Sequence, residues 1–269
     1  MPISTTSFSG NAFPTEVFAP ILNRGLSGAR FFDSLTRRDI SGNSATFPTV
    51  DPTGFDWVAE LGVIPEVTPG DSSSVVAPAK MAGNILLSNE SLADNTFDLA
   101  AGIGDAIKGS MGPAVDAGCL YGGASPEEPD GVYDALANVT GVTLRAAVIT
   151  AAAEIMGSGG DPNTVFVTPA MWAEEMARET ASGPVNTGAD LTIAGLRAVV
   201  VPSLAAGNGI VADTTRCYGV VRQDFRAELN AQSDQAWSRD GAQLRVIARL
   251  AAVVPAPVSA ARSLTVNAA

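Results

Sequence analysis

The chain contains no histidine. Ser-His-Asp and Cys-His nucleophile pairs and imidazole metal sites are therefore excluded. Its two cysteines, Cys119 and Cys217, form no CxxC pair. That excludes cysteine-rich zinc sites and thioredoxin-type redox motifs, and a reducing compartment is the natural setting. Cys217 sits in the strand pattern Thr215-Arg-Cys-Tyr-Gly219 and reads as a buried, inert thiol. Gly102-Ile-Gly104-Asp-Ala-Ile107 is a truncated GxGxxG with Ile in the third position. It lies inside a helical pattern rather than after a strand, so it does not mark a dinucleotide site. Glu127, Glu128, Asp130 and Asp134 cluster beside prolines and read as a solvated acidic turn, with a weak Ca²⁺ site as the alternative. No feature singles out a carboxylate pair, and 6% aromatic residues argue against a sugar cleft. No catalytic, cofactor-binding or metal-binding residue is expected, and no enzyme activity.

Charge points the same way. The net charge of −12 resides wholly in residues 51–135, which hold fourteen acids against Lys80 and Lys108; the flanks sum to zero. Such a chain is not a phosphate-gripping DNA binder. The acidic segment reads as a solvated face, or as a surface that meets arginines on other copies. The first residues lack a basic and then apolar leader pattern, and no apolar run is long enough to span a bilayer.

With 269 residues, 46% of them hydrophobic, the chain can bury a sizeable core. Residues 1–42 read as an arm holding five of the ten phenylalanines, punctuated by Pro2, Pro14, Pro20, Gly10, Gly25 and Gly28. Short helices are expected around 16–24 and 31–37. Residues 43–84 contain Pro48, Pro52, Pro65, Pro69 and Pro78, which forbid a long helix. Strand-like runs cover 45–50, 57–63, 75–79 and 80–87, with 68–74 as the turn between them. The result is a long two-stranded loop that needs a surface to lie on. Residues 88–120 change to helical period, with Leu99, Ile103, Ile107 and Met111 at i+4 spacing and a kink at Pro113. After a loop at 121–131 the pattern becomes α+β. Helices are expected over 142–156 and from Pro169 to Glu179. Strands are expected at 164–168, 198–201, 210–212, 218–222, 225–230, 243–254 and 264–266.

A core-sized body with two long appendages, and no chemistry of its own, suggests a protein whose partners are copies of itself. Four passages carry a family resemblance. They are Trp57-Val-Ala-Glu60 with Ile64-Pro65 running into Lys80–Glu90; Asp116–Gly123 leading to Pro129-Asp-Gly131; Thr164–Trp172 followed by Leu196–Ser203; and Gln243–Pro255 followed by Arg262-Ser-Leu-Thr. In this order they resemble the major capsid protein of tailed bacteriophages, with its Hong Kong 97-type fold, over nearly the whole chain.

The resemblance implies an α+β fold with an N-terminal arm (1–42), an extended β-hairpin loop (43–85), a peripheral domain with a long spine helix (86–132 and 226–269) and an axial domain (133–225). It also implies hexamers and pentamers forming an icosahedral head around double-stranded DNA held without sequence-specific contact. Portal and separate scaffolding or decoration proteins would be partners, and the virion the location. A bacterial encapsulin-type nanocompartment shell is the alternative. Intersubunit contacts are expected from Phe13, Phe18, Arg24, Arg37, Arg38, Trp57, Glu60, Val63 and Arg245. The chain departs from the family in lacking a lysine between Asp51 and Ala79. The lysine–asparagine cross-link of some members thus has no lysine at the loop tip.

Overall fold

The computed structural model describes residues 28–53, 55–90, 99–122, 125, 127–180, 183–184, 192–230 and 234–266. Two sheets and one long helix organise it. The first sheet has four strands, β1 (Thr36–Asp39), β4 (Ala79–Ser88), β12 (Tyr218–Asn230) and β13 (Gly241–Val253), in the order β1-β12-β13-β4. β1 joins β12 in parallel, and the other pairings are antiparallel. Along β13 the pattern is period-2: Ala242, Leu244, Val246, Ala248, Leu250 and Ala252 are all buried, as expected of one face turned to a core.

Helix α1 (Leu99–Tyr121) covers that face. Its Val115, Cys119 and Leu120 share a cluster with Ala248, Leu250 and Ala252. The helix runs through Pro113, which leaves the carbonyl of Gly109 without its helical donor. Its end is set by close backbone approach. A Cβ at Gly122 would collide with the carbonyls of Pro129 and Gly118, and one at Gly131 with the carbonyl of Leu120. The glycines of the 122–131 loop are thus fixed by space.

The second sheet has six strands in the order β5-β14-β11-β6-β10-β9. These are β5 (Asn138–Gly141), β6 (Thr164–Val167), β9 (Thr192–Ile193), β10 (Leu196–Val200), β11 (Asn208–Ala212) and β14 (Ala261–Val266). Helix α2 (Leu144–Gly157) lies on it through Ala147, Val148, Ala151 and Ile155. Thr143 caps α2 by accepting the Ala146 N–H, and Thr168 caps α3 (Pro169–Met176) by accepting the Met171 N–H, the expected use of a threonine there. The last strand, placed with 226–269 in the sequence reading, hydrogen-bonds to β5 and β11. Its pairing therefore lies with the six-stranded sheet.

The remaining ladders are short or separate. β2 (Ala45–Thr53) and β3 (Thr68–Val76) form a two-stranded hairpin, and β7 (Glu179–Thr180) pairs with β8 (Gly183–Pro184). Two small helices, α4 (Asp234–Trp237) and α5 (Pro257–Ala260), complete the described elements.

Several local expectations are corrected. Residues 68–74, read as a turn, are strand: Pro69 stands opposite Pro52 and Ser72 opposite Thr49. In a two-stranded ribbon both strands are edges, so proline and serine are tolerated there. Residues 57–63, read as strand, carry no ladder and form the hairpin's tip. Residues 218–230 make one strand rather than two, with irregular register between Val221 and Arg226; the bulge is what broke the alternation in sequence. The helix expected over 31–37 is a 3₁₀ turn at Phe32–Ser34 followed by β1.

The arm is tied down by a buried acid. Asp116 of α1 accepts the backbone N–H groups of Phe31 (3.1 Å) and Phe32 (3.0 Å). Phe31 then packs edge-on against Phe166 of β6, with ring centroids 5.0 Å apart. One carboxylate thus links arm, helix and both sheets. Burial raises the Asp116 pKa to about 6, against the two N–H bonds, which lower it, and with the nearby Asp33 charge raising it further.

Asp116→Ala strands two buried donors and should destabilise the unassembled chain by about 2–4 kcal/mol in denaturant unfolding. The pH dependence has a defined sign. Because the folded pKa is raised, the stability from protonating Asp116 is fully present below about 3.8 and lost as pH rises through about 6. Wild type should therefore gain stability relative to Asp116→Asn as pH falls from about 7 to about 4.5. A difference that does not change with pH would contradict this.

Candidate intersubunit surface

The hairpin β2–β3 is rooted firmly and ends in the open. At its root, Val76 is buried with Val220 and Ala251, and Ala45, Phe47, Ile40 and Val253 pack around them. Phe47 stacks on Tyr218 at 5.0 Å, and the Arg38 guanidinium lies over the same ring, 5.4 Å from its centroid. Cation, ring and ring thus pin the hairpin to β12. Nine residue pairs separate root from tip, a reach of about 30 Å at strand spacing.

At the tip, Trp57 and Leu61 are fully exposed and Val63 is 93% exposed. Phe55 and Ile64 are exposed as well. Contiguous apolar side chains in water mark a surface that another molecule covers. A small turn shapes it: Gly62 N–H donates to the Ala59 carbonyl at 2.9 Å, and Leu61 has φ of 61°. Leucine is disfavoured in that left-handed region, where glycine is at ease. The chain nonetheless places a large apolar side chain there.

The other residues singled out in sequence have different surroundings. Glu60 is exposed beside Leu61. Arg37 pairs in its own chain with Asp39 and Asp224, both at 2.9 Å. Arg245 pairs with Glu228 at 2.6 Å, and that contact lowers the Glu228 pKa, with Arg226 adding to it. These are exposed pairs, each of small energy. Arg38 serves the root stack. The tip therefore brings Trp57, Glu60 and Val63 together, whereas Arg37, Arg38 and Arg245 lie on the four-stranded sheet, engaged within the chain. Phe13, Phe18 and Arg24 lie outside the described residues. Sequence reasoning missed Phe55, Leu61 and Ile64, although their crowding beside Trp57 was visible. It also missed Asp116, whose signal was an acid set between apolar Val115 and Cys119 in a helical run.

Little else offers chemistry. Both thiols are buried, and desolvation pushes each up to about 12, helped by the charges of Asp116 and Asp213 respectively. They are protonated and unreactive at neutral pH. No group of three or more metal-ligating side chains occurs among the described residues. No helix among them is long and apolar enough to cross a membrane.

Comparison with known proteins gives the family and the fold. The family model described as the phage capsid family matches residues 10–261. A search of curated protein sequences found no match. Solved structures superpose over nearly full length. A chain from Mycobacterium phage Adephagia gives a TM-score of 0.78 at 17% identity, covering 100% of this chain and 99% of that one. A chain from Mycobacterium phage Bobi gives 0.77 at 18% identity, covering 95% and 96%. The capsid of a native GTA particle, computed with C5 symmetry, gives 0.73 at 14% identity, covering 99% of each. The chain belongs to the phage capsid family and has its mixed helix-and-strand, Hong Kong 97-type fold.

Because no described residue of the chain covers the tip, truncating it should leave the unassembled fold unharmed. Trp57→Ala and Val63→Ala should each shift unfolding free energy by less than about 0.5 kcal/mol. A loss above about 1.5 kcal/mol would mean that the tip packs on its own chain.

Proposed function

We propose that the chain is a major capsid protein, which self-assembles into hexamers and pentamers and forms the icosahedral head enclosing the double-stranded DNA of a tailed phage. The observation that carries the reading is the apolar tip, held about 30 Å from its root with no described surface of its own chain beneath it. Membership of the phage capsid family supports another copy as the partner that covers it. Subunits in a ring meet through unlike patches. A hairpin that straps the next subunit adds area to each contact without needing any single contact to be strong.

In this reading the arm, including Phe13, Phe18 and Arg24, crosses to neighbouring subunits as well. The four-stranded sheet and α1 form the peripheral domain. The six-stranded sheet, with α2 and α3, forms the axial domain around the capsomer centre. A portal protein and separate scaffolding or decoration proteins complete the particle. The chain acts as structure rather than as an enzyme and resides in the virion. Its acidity suits a wall along which DNA slides without being gripped. The match to phage capsids favours this over a bacterial nanocompartment shell.

Electron microscopy of the chain expressed alone, or with its scaffold, should show closed shells, rings or tubes with five- or sixfold units. Replacing Trp57, Leu61 and Val63 together by serine should abolish those particles while circular dichroism stays that of the folded chain. Particles formed as readily by the triple variant would refute the strap.

A further inference from the structure

The face of the four-stranded sheet opposite α1 carries a charge arrangement that the described residues leave uncompensated. Lys80 of β4 and Arg249 of β13 are paired directly across the ladder, so their side chains rise from the same face. Like charges directly opposite one another are unfavourable. The third strand gives no relief, because Arg249's partner on β12 is Gln223. Neither cation forms an ion pair with a described residue, and the buried Nε of Arg249 has no hydrogen-bond acceptor. Further along this face, Arg226 and Arg245 share the single carboxylate of Glu228, at 2.8 and 2.6 Å. Of Lys80, Arg249, Arg226 and Arg245, only the last two thus have a carboxylate among the described residues, and they share it. A polar cavity of about 590 Å³ opens here, lined by Asn84, Glu228, Asn230, Gln243 and Arg245.

The hairpin tip is the complement. Between Phe55 and Glu66 it carries Asp56, Glu60 and Glu66 and no cation. All three acids are exposed, beside apolar side chains that need cover. Position also fits. The hairpin is rooted on the same sheet face, since Val220 and Ala251, which receive Val76, are cross-strand partners and Ala251 is two residues from Arg249. A ring built by rotation repeats that face on the same side in every copy. A hairpin leaving it therefore reaches the like face of the next subunit.

We infer that the Lys80–Arg249 pair is the receiving site for the acidic hairpin tip of a neighbouring copy. The inference rests on the capsid reading above and names the partner surface that reading leaves open. It also turns the expected acid–arginine contacts away from Arg37 and Arg245, which have carboxylates in cis, toward two cations with none among the described residues. Occupancy neutralises the like-charged pair, so the contact sets register and is sensitive to salt.

Charge reversal tests it. Lys80→Glu gives Arg249 a partner in cis, so the melting midpoint of the unassembled chain should stay level or rise. The yield of sedimenting particles should nonetheless fall by about tenfold or more. Adding Asp56→Lys and Glu60→Lys in the tip, which alone should also impair assembly, should restore particles in the Lys80→Glu background. Wild-type particles with an unimpaired Lys80→Glu variant would overturn the inference and leave the capsid reading standing. So would a defect that the tip changes do not rescue. So would particles that form normally but retain less DNA, since phosphate would then be the anion at this face. A wild-type chain that forms no particle even with its scaffold would fail both.

Discussion

An apolar surface held out on a long ribbon, with no described residue of its own chain beneath it, is the constraint on which the rest of the structure depends. A two-stranded hairpin is marginal in water. This one persists because its root is welded to the sheet by the Phe47–Tyr218–Arg38 stack and by Val76 against Val220 and Ala251. The weld fixes where the ribbon starts, and nine paired residues fix how far it reaches. What remains free is Trp57, Leu61 and Val63. No described residue of the chain removes that surface from water, and in the proposed capsid reading association with another copy does so.

The body is built to hold that root still. The long β12–β13 ladder needs one face buried, and α1 supplies the cover. The helix is anchored in turn by Asp116, which accepts two arm N–H groups and so locks the Phe31 turn between the two sheets. Burying a carboxylate that is matched only by neutral donors is costly, and the raised pKa records that cost. The return is a fixed exit for the arm, next to the strand that carries the hairpin root.

Much of this was legible in the residues. The prolines between 48 and 78 excluded a helix, and the helical periods read over 88–120 and 142–156 overlap α1, described from Leu99, and α2, although Ser88 itself ends β4. The arm's phenylalanines required burial, and Phe31 is buried. The order of four weak motifs suggested the family that the family model then matched over residues 10–261. Three things were not legible. Thr68–Ser74 has the composition of a turn, and only its cross-strand partners make it a strand. β14 closes a sheet whose other strands lie far away in sequence, a pairing that no local pattern encodes. The arginines were visible but their partners were not: Glu228 and Asp224 reach Arg245 and Arg37 only after β12 folds beside its neighbours.

The most direct test of the central claim is a cryo-electron microscopy reconstruction of the assembled particle, read at the hairpin tip. Trp57 and Leu61 should be covered by the four-stranded sheet of the next subunit, with the tip acids facing Lys80 and Arg249. A tip folded back on its own subunit, or left in solvent in the closed shell, would contradict the account.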